Sequence, residues 1–210
     1  MFNRLKRALE ELYLAFSGFE LGKLEDVSCF DYGPTNQEVA DLARPLRDIP
    51  NRTMAKMEFY AFGWDSWGSK QEAGYFLPRL MTYLAEDITR LREPALFSLF
   101  KYKLQGVLSH PSKDWTDRQI EALREFFVSL LEQHLSVDTE VGMLIECVLA
   151  VGLDSQTIFA NWNSSEPLYA RQTEAILRHF RYTDPDRDIP KGLYFDDREI
   201  VQSFVAHLVS

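Results

Sequence analysis

Residues 116–131 read TDRQIEALREFFVSLL, and their spacing decides the fold class. Ile120, Leu123, Phe127, Leu130 and Leu131 recur at intervals of three and four, the period that lines one side of an α-helix. Thr116 and Gln119 stand ahead of them at the two positions of a capping box. There the Thr oxygen takes a first-turn N–H that has no partner inside the helix, and the Gln side chain reaches back to the N–H of the cap.

The same signature occurs twice more. Thr35-Asn36-Gln37-Glu38 precedes Val39, Leu42 and Leu46, with Pro45 as the expected stop. Ser69-Lys70-Gln71-Glu72 opens a segment through Tyr75, Phe76, Leu77, Leu80, Met81 and Leu84. Pro78 falls inside that segment, where its missing N–H predicts a kink or a restart. Phe2, Leu5, Leu9, Leu12 and Phe16 form an N-terminal stripe flanked by Arg4, Lys6, Arg7, Glu10 and Glu11. Pro94 and Pro167 sit where a first turn tolerates proline, which predicts helices over 95–107 and 168–180, and Ile200, Phe204 and Leu208 predict a last one. Long alternating runs and Asn-Gly or Asp-Gly hairpin turns are missing from the sequence. The expectation is an all-α fold: one domain over residues 1–210, a bundle of about eight to ten helices at ordinary helix length. TDPDRDIPKGLYFD, residues 183–196, is its longest loop.

A chain of 210 residues with 46% hydrophobic side chains has enough apolar material for a sizeable core. Its 32 acids outnumber 23 bases, a net charge of −9 that repels a phosphate backbone and suits a basic protein surface. Nucleic acid is therefore not expected as a partner. Cys29 and Cys147 lie far apart and read as buried thiols. Glu10 and Glu11 interrupt the apolar residues after the N-terminal bases, and no run of about 18 apolar residues follows, so a cytoplasmic chain without a membrane partner is expected.

Motifs of defined chemistry are missing too. Asp184-Pro185-Asp186-Arg187-Asp188 resembles the start of a calcium loop, but that loop needs Gly at its sixth position and Glu at its twelfth, where this chain has Ile189 and Phe195. His110, His134, His179 and His207 are dispersed, and Cys-x-x-Cys, G-x-S-x-G, a P-loop and a dinucleotide turn do not occur. The chain is read as no enzyme, with no catalytic residue, no metal and no cofactor; a helical enzyme with a pocket around Arg79 is the alternative.

Two regions hold candidate binding residues. In FGWDSWGSKQEAGYFLPRL, residues 62–80, Gly63, Trp64, Trp67 and Gly68 suggest a tight corner packed on the following helix. The Arg79 guanidinium either bonds its own chain, at carbonyls freed by Pro78 or at Asp65, or binds an anionic ligand in a pocket gathered by Arg79, Asp65 and His179. Downstream, residues 132–174 hold seven acids and one base, six of the nine net negative charges. Asp138, Glu140, Asp154 and Glu166 there, with Trp162 as aromatic anchor, are the candidate surface for a cationic partner. The plainer alternative is a solvated helix face with Trp162 packed inward.

Cys29, Pro45-Leu46-Arg47, Trp67-Gly68, Tyr75-Phe76-Leu77-Pro78-Arg79-Leu80, and Trp115 with Glu121-Ala122-Leu123 occur in an order that resembles a group of uncharacterised bacterial all-helical proteins. The resemblance covers residues 25–180, and Phe-Leu-Pro-Arg is its most specific element. Members often carry Cys-x-x-Cys at the first position, whereas this chain has Cys29-Phe30-Asp31-Tyr32, which removes the basis for a shared metal or redox role. At the level of class, the chain also resembles the immunity proteins of bacterial toxin systems, including contact-dependent growth inhibition. That resemblance implies a cognate, basic protein toxin as partner; a helical scaffold or adaptor is the remaining alternative.

Overall fold

A computed structural model describes residues 2–30, 32–58, 70–93, 95–96, 99, 115–134, 141–150, 167–179, 202 and 205–206. These residues carry seven α-helices and no strand: α1 (Phe2–Ala15), α2 (Asn36–Leu42), α3 (Asn51–Met54), α4 (Lys70–Glu86), α5 (Asp117–His134), α6 (Val141–Ala150) and α7 (Pro167–His179). Short 3-10 turns lie at Leu24–Asp26, Leu46–Asp48 and Ile88–Arg92. The chain is all-α in these residues. None of their helices is long and apolar enough to cross a membrane. The corner around Trp64 and Trp67 and the 183–196 loop lie outside the described residues.

The chain divides into two compact units, residues 9–107 and residues 1–8 with 108–210. In the 9–107 unit, α4 is the centre, and its Ala73, Phe76, Leu77, Leu80, Met81, Tyr83 and Leu84 are all buried. The 3-10 turns at 46–48 and 88–92 pack on it, as does α3. Burying Phe, Leu or Met side chains contributes about 1.5–3 kcal/mol each, which explains how α4 keeps a proline in its interior. The expected kink or restart does not divide the helix: α4 runs as one assigned element through Pro78. The Thr82 hydroxyl donates to the Pro78 carbonyl at 2.9 Å. Since that proton is committed, Tyr13 is the donor in its 3.3 Å bond to Thr82 Oγ1, linking α1 to α4.

In the other unit α6 packs against both α5 and α7. Met143, Leu144, Ile145, Cys147, Val148 and Leu149 of α6 are buried, as expected of a helix that is apolar apart from Glu146. From α5, Ile120, Leu123, Phe126, Phe127, Leu130 and Leu131 are buried, with Phe126 and Phe127 in edge contact. The start of α1 is fastened to α5 by charge. Arg4 donates through Nε and Nη2 to the two oxygens of Glu125 at 2.7 and 2.9 Å, and through Nη1 to Glu132 at 2.5 Å. All three side chains are about two-fifths exposed, so solvent screens this two-armed pair. Arg4→Ala is expected to cost about 1 kcal/mol in urea unfolding, and the loss should shrink at 1 M salt.

Two of the three capping boxes are present in full. Thr35 accepts from the Glu38 N–H while Glu38 accepts from the Thr35 N–H. Thr116 and Gln119 exchange the same two bonds at 2.9 and 3.3 Å. Ser69 of the third lies outside the described residues. Its Glu72 is used across the fold, accepting the Ser28 N–H at 2.9 Å and the Ser28 hydroxyl at 2.8 Å. Helix α2 stops at Leu42, before Pro45, and Leu46 belongs to the next 3-10 turn. Cys29 and Cys147 are buried free thiols, and burial, with the nearby Glu72 charge, pushes the Cys29 thiol well up.

Candidate functional site

Arg79 is the candidate binding residue whose side chain the structure describes, and it is 5% exposed on α4. Its Nε donates to the Ile49 carbonyl at 3.0 Å, and its Nη2 donates to Asn51 Oδ1. Nη1 is buried without a hydrogen bond among the described residues and lies 4.0 Å from Glu86 Oε1. Ile49 is held extended at a ψ of 124° ahead of Pro50, so its carbonyl is outside any helix and can face α4.

The network extends along the C-terminal end of α4. Glu86, two turns after Arg79 on the same side of the helix, accepts from Asn51 Nδ2 at 2.7 Å and from Arg90 Nη1 at 2.9 Å. Arg90 also donates to the Tyr83 carbonyl at 2.6 Å, and its guanidinium carbon lies 4.1 Å from the centre of the Tyr83 ring. The Tyr83 hydroxyl donates to Glu93. Burial, and then the bond and charge of Glu93, push the Tyr83 hydroxyl far up. Burial pushes the Glu86 carboxyl up, but bonds from Arg90 and Asn51 and the Arg79 charge outweigh it and hold Glu86 below the usual range. Two guanidinium groups, one carboxylate and one amide thus clamp α3 and the 88–92 turn to α4. Chemically this is a latch of fixed donors and acceptors.

Of the two alternatives for Arg79, bonding within its own chain is observed at two nitrogens. The acceptors are the carbonyl of Ile49 and the amide of Asn51, not the backbone freed by Pro78. Asp65 lies outside the described residues, as does the side chain of His179, whose backbone ends α7. Asp138, Glu140, Asp154, Trp162 and Glu166 lie outside them too. Within the 132–174 segment the described carboxylates are Glu132 and Glu174, and each pairs with a base from beyond the segment: Arg4, and Arg178 at 2.5 Å. Among the described residues, no three His, Cys, Asp or Glu side chains are grouped to hold a metal ion.

Sequence reasoning missed Glu86 and Asn51 as the partners of Arg79. Glu86 carried a signal, since seven residues separate same-face positions on a helix. Asn51 carried none, because its encounter with α4 depends on how the chain turns at Pro50. No protein-family model matches the chain, and neither the curated proteins nor the solved structures include a similar one.

Proposed function

We propose that this chain is a non-enzymatic binding protein: an immunity protein that covers and neutralises a cognate, basic bacterial toxin in the cytoplasm, on a scaffold of about eight to ten helices. The observation that supports the proposal is the concentration of acidic residues in one stretch of the sequence. In the 9–107 unit four described acids pair with bases of that unit: Glu10 with Arg47, Glu38 with Lys56, Asp41 with Arg52, and Glu86 with Arg90. Residues 132–174 hold seven acids and one base, so the segment lacks the means to neutralise itself. Asp138, Glu140, Asp154 and Glu166 are assigned to the toxin-facing surface, with Trp162 as its anchor. A field of this kind raises association rates and selects partners more than it adds raw affinity.

The test is a triple charge reversal, Asp138→Lys, Glu140→Lys and Asp154→Lys, measured against the protein partner recovered with this chain by pull-down from its native cell. Association at low salt should slow by at least about tenfold, and protection of toxin-exposed cells should weaken with it. Unchanged binding at low salt would sink the placement. The second reading, an anionic-ligand site at Arg79, is favoured by one observation, the unbonded Nη1 of Arg79.

A further inference from the structure

Helix α2 is seven residues long, too short to persist alone in water, and what holds it is unusually concentrated. Two of its carboxylates, one turn apart, are buried: the Glu38 side chain is 7% exposed and the Asp41 side chain 1%. Glu38 accepts from the Thr35 N–H and hydroxyl, each at 2.8 Å, and from Lys56 Nζ at 2.7 Å. Asp41 accepts from the Thr53 hydroxyl at 2.7 Å, from Arg52 Nη2 at 2.8 and 2.9 Å and from Gln37 Nε2 at 3.2 Å, with Arg44 Nη2 at 3.7 Å. The described polar bonds from α2 to α3 and to Lys56 all end on these two groups. The 24–26 turn, which also packs on α2, brings only Glu25 and Asp26, both exposed acids, with exposed Lys23 just before them. Apolar anchoring is slight, with Leu42 the buried apolar side chain of the helix.

We propose that α2 is an acid-released latch: protonation of Glu38 and Asp41 undocks it from α3 while α4 stays folded. Above the titration range two carboxylates face three cations, Arg44, Arg52 and Lys56. Below it the cations remain without their counter-charges and turn to solvent, so the attraction that docks the helix is lost. Protonation also weakens Glu38 as acceptor of the Thr35 N–H, its half of the capping box, so the start and the dock of α2 loosen together.

The direction of titration agrees with this. Burial pushes the Glu38 carboxyl up, but the bonds from Lys56 and Thr35 outweigh it and hold the group below its ordinary value. Asp41 is held low chiefly by the Thr53 hydroxyl, against its burial, with help from Arg52 and Gln37. Carboxylates lowered in the folded state contribute stability that is complete above about pH 5 and is lost as pH falls through about 4 and below.

Hydrogen exchange of the full chain tests the latch, read at the amides of Val39–Ala43 and at α4, with rates corrected for intrinsic pH dependence. At pH 3 the Val39–Ala43 amides should lose at least about tenfold in protection relative to pH 7, with α4 still protected. Glu38→Gln with Asp41→Asn should reproduce that local loss at pH 7. Retained protection of Val39–Ala43 in the double variant, or loss of α4 protection together with them in either experiment, overturns the proposal.

Discussion

Arg79→Ala is expected to destabilise the chain by about 3 kcal/mol in urea unfolding. The guanidinium is 5% exposed and holds the Ile49 carbonyl and the Asn51 amide, and each buried polar group left unsatisfied costs about 1–3 kcal/mol. Loss of the packed Arg stem adds to that. Glu86 moderates the effect: it keeps Asn51 and Arg90 as donors and is 43% exposed, so no isolated buried charge is created. Arg79→Lys keeps the charge but not the planar fork that reaches two acceptors from one side chain, and should recover only about 1 kcal/mol of the loss. The measurement also separates the two readings of Arg79. An arginine whose work is to meet a ligand in an open pocket leaves stability within about 0.5 kcal/mol when removed, so a neutral Arg79→Ala would return the residue to the list of ligand-binding candidates.

The second large effect is at Gly74. Taken alone, Gly→Ala in the interior of a helix stabilises by about 1 kcal/mol. Here a Cβ on Gly74 would stand 2.5 Å from two ring carbons of Phe19 and 2.6 Å from a third. Phe19 stacks on Phe16 with ring centres 5.8 Å apart, and its N–H bonds the Phe16 carbonyl at 3.2 Å, so the ring has little room to yield. Forcing an extra methyl into such a contact costs about 1–3 kcal/mol and here more than offsets the gain in propensity. Gly74→Ala should therefore lower stability by about 2 kcal/mol. In the background of Phe19→Ala the same change should become neutral or stabilising. A stabilised single variant would show that the close approach of the ring is not needed.

Helix starts were the most legible part of the fold, because a capping box is a negotiation among four consecutive residues. Thr35–Glu38 and Thr116–Gln119 form as their sequence predicts. Pro167 opens α7, and the apolar stripe of α5 is buried. Contacts made at a distance were not legible in the same way. Glu72 stands where a capping glutamate belongs, and it also holds Ser28, 44 residues away, which no local signal indicates. Pro78 stands where a helix should restart, and the buried side chains around it keep α4 continuous. Helix α3, at four residues, is too short to show a period at all.

The sequence by itself determined that the chain is helical, where several helices begin, which stripes are apolar, and that the acid excess gathers in residues 132–174. Periodicity, end capping and charge are properties of neighbouring residues, so they survive without coordinates. Tertiary structure alone decided which polar groups face inward: Arg79 toward Ile49 and Asn51, and Asp41 toward Arg52 and Thr53. The reason is physical. A charged group is tolerable in the interior only when donors or acceptors from elsewhere in the chain replace its water, and the packing of the helices brings those partners to it.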